Sequence, residues 1–277
     1  MRADIPPALR PGTPQGRAGL AALLADPGHA LLGLDFDGTL APIVPDPRDA
    51  RAHPGAAAAL RALAGRLGTL AIITGRPAAK AVEYGGLASV PGLLVFGHYG
   101  FERWSGGEVA TLPTPPGVEA ARGRLPGTLA AVGAPPGTWT EDKGHAVAVH
   151  TRRTGDPEGA LRLLRPALEE LAAAEGLLAQ PGRMVIELRP AGMDKGAALT
   201  AIFNERLAHA VAFCGDDLGD LPAFDAIGEL RGSGVPGLAV CSGSTEVTEL
   251  AEAADLVLDG PDGVVAWLEW LAGQAGT

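Results

Sequence analysis

The stretch Ala30-Leu31-Leu32-Gly33-Leu34-Asp35-Phe36-Asp37-Gly38-Thr39 decides how this chain is read. Its first five residues are apolar and uninterrupted, the pattern of a strand buried on both faces of a parallel sheet. Two carboxylates then emerge at the carboxyl end of that strand, where open α/β sheets bind their ligands. The Gly-Thr pair turns the chain and brings a hydroxyl and backbone N–H groups to the same place. Paired acids beside an anion-sized hole suit aspartyl-phosphate chemistry, one acid attacking and the other shuttling a proton. Asp and Gly are also ordinary residues of a polar turn after a strand, so the stretch takes its meaning from the rest of the chain.

The 277 residues fit one large or two moderate domains. Hydrophobic residues make up 47% and charged residues 19%, enough apolar material for a substantial core. A net charge of −10 argues against any sequence-independent grip on nucleic acid or an anionic membrane. An acidic protein that handles a phosphate ester must gather positive charge locally, from a metal and a few basic side chains. The two cysteines, Cys214 and Cys241, lie in or beside apolar runs and read as core residues of a reducing compartment. No signal-peptide core and no membrane-length apolar stretch occurs, so a cytoplasmic protein is expected, as a monomer.

Residues 1–18, rich in Pro, Gly and Arg, are expected to form a flexible arm. From Ala30 strands and helices alternate: strand 31–35, helix 54–67, strand 69–73, a helix opened by Thr74-Gly75-Arg76-Pro77, and strand 93–96. The texture changes near Ser105. A helix bracketed by residues 113–117 and 135–137 leads to a hairpin of strands 138–142 and 145–150. A helix over 157–175 follows, with Pro166 an irregularity, then a hairpin of 177–180 and 183–188 turning at Pro181-Gly182. Alternation resumes with helix 194–207, strand 211–214, helix 218–227, strand 237–241, helix 246–251, strand 256–258 and helix 263–271. The expected architecture is α/β: a Rossmann-like, doubly wound parallel-sheet core over 1–112 and 190–277, with an inserted α+β domain over 113–189 sitting above it as a lid. Residues 112–116 and 188–192 are its hinge candidates.

Three further signals fall where they could meet the Asp pair. Thr74 follows its strand directly, and reads equally as a phosphate ligand at a helix start or as an N-cap. Lys195, in Gly192-Met193-Asp194-Lys195-Gly196, occupies the first turn of a helix, where a cation opposes the dipole; holding a charged nucleophile and a phosphate together explains it better. Gly215-Asp216-Asp217-Leu218-Gly219-Asp220 places three carboxylates within five positions, electrostatically costly without a cation. Such oxygen ligands suit Mg²⁺, which keeps waters and bridges to phosphate.

These four motifs in order resemble the haloacid-dehalogenase-like phosphatase superfamily. The resemblance implies Asp35 as nucleophile, Asp37 as general acid/base, and Thr74, Gly75 and Lys195 as phosphate-binding groups. It implies Mg²⁺ held by Asp35, the Asp37 carbonyl and Asp216, with Asp217 and Asp220 secondary. The insert, between the Thr and Lys motifs, resembles that superfamily's C2-type cap.

The residues Gly97-His98-Tyr99-Gly100-Phe101-Glu102, Glu141-Asp142-Lys143-Gly144, His150 and Val185-Ile186-Glu187-Leu188-Arg189-Pro190 look like those of trehalose-6-phosphate phosphatases. That resemblance implies Glu141, Lys143 and Glu187 as contacts to sugar hydroxyls, with Arg76 and His98 lining the core side and a sugar phosphate as the partner. Acid and base side chains reading several hydroxyls reject analogues strongly, because a missing hydroxyl leaves buried polar groups unpaired. Read from the residues alone, Glu141 and Lys143 are equally an exposed cross-strand ion pair, His98 a core histidine and Glu187 an edge-strand residue. Thr151-Arg152-Arg153 after His150 departs from the family's usual aromatic-basic pair. The expected activity is hydrolysis of trehalose 6-phosphate, the last step of trehalose biosynthesis; other glycosyl phosphates (sucrose phosphate, a glycosyl-phosphoglycerate) and a non-catalytic sugar-phosphate sensor are the alternatives.

Overall fold

A computed structural model describes residues 5–243 and 248–275. Helix α1 (Pro14–Ala25) leads into β1 (Ala30–Leu34), α2 (Ala56–Leu63), β2 (Thr69–Ile73), α3 (Ala78–Gly85) and β3 (Leu94–Gly97), then a hairpin of β4 (Glu102–Ser105) and β5 (Glu108–Thr111). Next come α4 (Pro116–Ala131), β6 (Trp139–Asp142), β7 (Val147–His150), α5 (Pro157–Ala174), β8 (Leu177–Gly182) and β9 (Val185–Pro190). The last stretch holds α6 (Lys195–Arg206), β10 (Ala210–Gly215), α7 (Leu221–Gly232), β11 (Gly237–Gly243), α8 (Glu249–Ala253), β12 (Leu256–Asp259) and α9 (Gly260–Gln274). Two compact units result: one runs to Thr111 and resumes at Asp194, the other is Leu112–Met193.

The first unit is built on one sheet in the order β12-β11-β10-β1-β2-β3-β4-β5. The six strands from β12 to β3 are parallel, and β4 and β5 add antiparallel. Apolar residues alternate between its faces, so β1 sends Leu32 and Leu34 into a core shared with α1, α2 and α9, and Leu31 into one shared with α6 and α7. Each fully buried Leu or Phe contributes about 1.5–3 kcal/mol by leaving water. From β1 the chain steps out through β2 and β3 and later returns to β10 on the other flank. The order thus reverses between β1 and β10, the switch point at which such sheets bind ligands. Among the described residues no helix is long and apolar enough to cross a membrane.

The second unit has its own antiparallel sheet, β6-β7-β9-β8. Val147, Val149, Ile186 and Leu188 pack on Val118, Leu125, Leu164 and Leu168 of α4 and α5. The other face of this sheet carries Trp139, Glu141, Ala148, His150, Val185 and Glu187, as the register and the alternation require.

Several expectations are corrected. Of the arm expected over 1–18, residues 1–4 lie outside the described residues, and the rest is not loose: Thr13 caps α1 by accepting from Gly16 N, and Ile5 and Leu9 pack on the core. The buried Asp255 carboxylate accepts from the Thr13 hydroxyl, from Arg231 and from Ala239 N, while Gly12 N donates to the Asp255 carbonyl. Composition marked this segment as loose, yet its small residues are what allow close packing: a Cβ on Gly19 would land on the Gly237 carbonyl. The change of texture near Ser105 is the β4–β5 hairpin, which belongs to the first sheet, and the second hairpin turns at Arg183-Met184, two residues beyond Pro181-Gly182. Helix α2 is shorter than 54–67, its C-cap falling at Ala64. The expected helix 246–251 begins outside the described residues, and α8 starts at Glu249.

Glycine-to-alanine changes separate close packing from propensity. Gly19→Ala is expected to destabilise by about 1–3 kcal/mol through overpacking. Gly123→Ala in α4, where a Cβ meets nothing within 4 Å, is expected to stabilise by up to about 1 kcal/mol. Urea unfolding of the two variants checks the opposite signs.

Candidate active site

The strands β1 and β10 lie side by side, with Asp35 N donating to the Cys214 carbonyl at 2.8 Å, so Asp35 and Asp216 leave adjacent strand ends together. Gly38 permits the approach of the two loops: its φ is 73°, and a Cβ there would overlap the Asp216 carboxylate. Ser242 Oγ donates to the Gly38 carbonyl at 2.7 Å and anchors the turn from β11. Cys214 and Cys241 are buried free thiols in the strands beneath.

Lys195, first residue of α6, is brought to the same point because Asp194 caps that helix, accepting from Ala197 N at 2.8 Å. Its Nζ lies 2.9 Å from Asp35 Oδ1 and 2.6 Å from Asp220 Oδ1, and all three side chains are 5% exposed or less. Burial pushes the Asp35 carboxyl well above its usual range, with Lys195 pulling the other way. Burial raises Asp216 to about 7, helped by the Asp220 and Asp217 charges, and also raises Asp220 against the pull of Lys195. Burial opposes the Lys195 charge, yet Asp35 and Asp220 hold it protonated well above the ordinary lysine value.

Asp35, Asp216 and Asp220 can each point one ligand oxygen to a common spot, within 4.8 Å of one another. With all three carboxylates ionised, one ammonium among them leaves 3 − 1 = 2 negative charges, which a divalent cation would neutralise. Asp216 Oδ1 is buried with no hydrogen-bond partner, an atom that a cation would satisfy. This donor set fits Mg²⁺ in chemistry and in charge. Asp220 stands in this group, closer than the secondary place expected for it. Its Oδ2 also accepts from Asp216 N and Asp217 N at 2.9 and 3.2 Å, which ties the loop to the cluster. Asp217 lies outside the group and instead caps the turn, accepting from Gly219 N.

Asp37 lies beside this cluster, with both its oxygens taken by Arg76: Nε to Oδ2 and Nη2 to Oδ1, each at 2.6 Å. Such a bidentate pair is strong and directional. Arg76 also donates to the Pro47 carbonyl at 2.8 Å. Thr74 is buried; its N–H goes to Phe96 O and its Oγ1 accepts from Arg76 N at 3.2 Å. Helix α3 begins only at Ala78, whose N–H donates to Glu102 Oε2 at 2.7 Å, so the β4 carboxylate already occupies that helix terminus. The expected use of the helix dipole for phosphate is therefore corrected, and the turn at Thr74-Gly75 faces the cavity instead.

That cavity measures about 390 Å³ and is lined by Asp35, Asp37, Thr74, Gly75, Arg76, Lys195 and Asp217 among others. Tyr99 lines it and His98 does not; His98 Nε2 sits 3.8 Å from Glu102 Oε1. Both residues have positive φ (49° and 58°), and their N–H groups donate to Arg76 O and Thr74 O. Non-glycine residues in that region cost about 1–3 kcal/mol each and persist where the surroundings impose them. Tyr99, which lies in the stretch 97–102 but had no role assigned there, and the apolar wall of Ile43 and Val44 are further lining residues, and no local sequence pattern marks the latter two.

In the second unit Glu141, Lys143 and Glu187 come together on one side of the sheet. The register sets Glu141 opposite Ala148 and Ala148 opposite Glu187, two carboxylates flanking a small residue. The ion pair weighed between Glu141 and Lys143 is not formed: Lys143 pairs with Glu187, and Glu141 Oε2 lies 2.9 Å from His150 Nε2. Lys143 sits past the end of β6, within reach of β9.

The trehalose-phosphatase family model matches residues 33–261. The trehalose-phosphate phosphatase of Mycobacterium avium is 34% identical over 267 residues, 89% of this chain and 63% of that protein. The corresponding protein of Mycobacterium leprae is 36% identical over 259 residues, covering 87% of this chain and 57% of that protein. Among solved structures, the trehalose-6-phosphate phosphatase of Aspergillus fumigatus superposes with a TM-score of 0.68 at 24% identity, covering 92% and 97% of the two chains. The fold is that of a haloacid-dehalogenase-like phosphatase, and the chain belongs to the trehalose-phosphatase family. It spans less than two thirds of the length of these two mycobacterial relatives.

Metal binding is expected to show in stability before any turnover is measured. Saturating Mg²⁺, about 100 times its Kd, should add about 2.7 kcal/mol. Asp216→Asn should lose most of that gain while melting no lower than the parent without metal, since a buried charge is removed. An undiminished Mg²⁺ shift in the variant would place the ion elsewhere; calorimetric melting with and without Mg²⁺ decides.

Proposed function

We propose that this protein is a Mg²⁺-dependent phosphatase that hydrolyses trehalose 6-phosphate to trehalose and phosphate in the cytoplasm. The observation that carries the reaction type is Asp35, buried against Lys195 at the sheet's switch point, with Asp37 two residues on at the same cavity. Family membership supports the substrate.

In this reading an Asp35 oxygen attacks the phosphorus, and the bond from phosphorus to the sugar oxygen breaks. Asp37 gives its proton to that oxygen, later takes one from the water that attacks the acyl phosphate, and Asp35 is regenerated as phosphate leaves. Lys195 holds the Asp35 carboxylate in line and neutralises part of the transferring group's charge. The Gly75 turn and the Thr74 hydroxyl bind the phosphoryl oxygens. When bound, Mg²⁺ supplies charge neutralisation at the transferring group, held by Asp35, the Asp37 carbonyl and Asp216, with Asp220 beside them. Asp37 can act as an acid only after leaving Arg76, whose guanidinium then becomes free to take a substrate oxygen. Glu141, Lys143 and Glu187 are assigned to the sugar hydroxyls.

Phosphate release from trehalose 6-phosphate, sucrose 6-phosphate and glucose 6-phosphate, each with Mg²⁺ and with EDTA, tests the proposal. Trehalose 6-phosphate should be preferred and EDTA should silence the enzyme; preference for another ester overturns the substrate and keeps the phosphatase. Asp35→Asn should abolish turnover, and activity within about tenfold of the parent would remove its role as nucleophile. Asp37→Asn should cost about 100- to 10,000-fold. Glu141→Ala or Lys143→Ala should lower the ratio of kcat/KM for the disaccharide phosphate to that for p-nitrophenyl phosphate by at least about 100-fold.

A further inference from the structure

On the helix-free side of the second sheet, Trp139 and His150 are directly opposite each other in the β6–β7 register. Their rings stack at 3.8 Å with only 4° between planes. The Arg153 guanidinium also lies over the Trp139 ring, 5.1 Å from its centroid. An indole engaged in this way is a wall and not an open plane for stacking a sugar. What it restrains is the imidazole, and the imidazole in turn reaches diagonally to Glu141, Nε2 to Oε2 at 2.9 Å. No other hydrogen bond reaches the Glu141 carboxylate from the described residues, so its second oxygen is free to accept from a ligand.

We propose that His150, clamped by Trp139, is the positioning residue that aims Glu141 and so sets how well the cap discriminates its sugar. The proposal rests on the assignment of Glu141 to the sugar hydroxyls. A free glutamate carries rotamer entropy that must be lost on each binding event, and a carboxylate already held by a charged or neutral imidazole loses less of it. The cost of removing the clamp therefore falls on binding and not on the chemical step. His150 and Trp139 act through Glu141, and neither touches the phosphate chemistry assigned to Asp35 and Asp37.

A double-mutant cycle isolates this claim. The parent, His150→Ala, Glu141→Ala and the double variant are compared on the sugar phosphate that the parent turns over best and on p-nitrophenyl phosphate. His150→Ala is expected to raise KM for the sugar phosphate about tenfold with kcat changed less than about twofold, and to lower the ratio of the two kcat/KM values by the same factor. His150→Gln, which keeps an N–H for Glu141, should recover part of the loss. In the Glu141→Ala background, removing His150 should cost no more than about twofold. Additive losses, or equal losses on both substrates with a lowered melting temperature, overturn the proposal in favour of a folding role. A best substrate other than trehalose 6-phosphate overturns the substrate reading and leaves this cycle valid on the ester found.

Discussion

One ammonium set among three buried carboxylates is the constraint on which this fold's chemistry depends. Lys195 stands at the first residue of a helix, where the dipole disfavours it, and out of water, where its charge is costly. It is tolerable there because Asp35 and Asp220 approach it within 3 Å from two other elements. The arrangement brings the ends of β1 and β10 and the start of α6 to one point, where Gly38 leaves no room for a side chain. It also leaves three buried carboxylates with one ammonium among them, an excess of negative charge that a divalent cation would offset.

The two units arrange their polar groups by opposite means. The first has a parallel sheet covered on both faces, so only its strand ends are available, and the cavity's carboxylates and Arg76 follow them, with Lys195 added from the start of α6. The second has an antiparallel sheet with helices packed on one face, and its polar groups alternate along strands on the other. Strand ends hold a few groups rigidly around a small charged centre. A face spreads them across several strands, with Glu141, His150 and Glu187 on one side of the sheet.

Much of this was legible in the chain itself because the signals are local. An apolar run ending in Asp35, a buried run at 69–73 followed by Thr74, and three acids after Cys214 each declare a strand end without reference to anything distant. What sequence could not show is which partner each side chain takes. The Arg76 fork on Asp37, the insertion of Asp220 between Lys195 and two backbone N–H groups, and the pairing of Lys143 with Glu187 are all long-range choices. The N-terminal segment misled for a related reason: Gly16 and Gly19 look like flexibility in composition and are contact surfaces in the fold. The β4–β5 hairpin was hidden because its exposed outer strand has no apolar pattern, yet it supplies the Glu102 that closes the N-terminus of α3.

The switch-point pairing carries a consequence for how the chain acquires its shape. β1 hydrogen-bonds to β10 from Ala30↔Ala210 onward, a separation of 210 − 30 = 180 residues, and α1 packs on β11, later still. Synthesis proceeds from the N-terminus, so β1 is made long before its central neighbour exists, while the strands of Leu112–Met193 meet partners at most a few dozen residues away. The inserted unit can therefore pair its strands while the larger sheet still waits for its second half. Loop-closure entropy grows only slowly with length, and an insert already collapsed shortens the effective loop that β1 and β10 must close. The strand that leads to Asp35 is thus among the first to be made, and its pairing with β10 among the last to be secured.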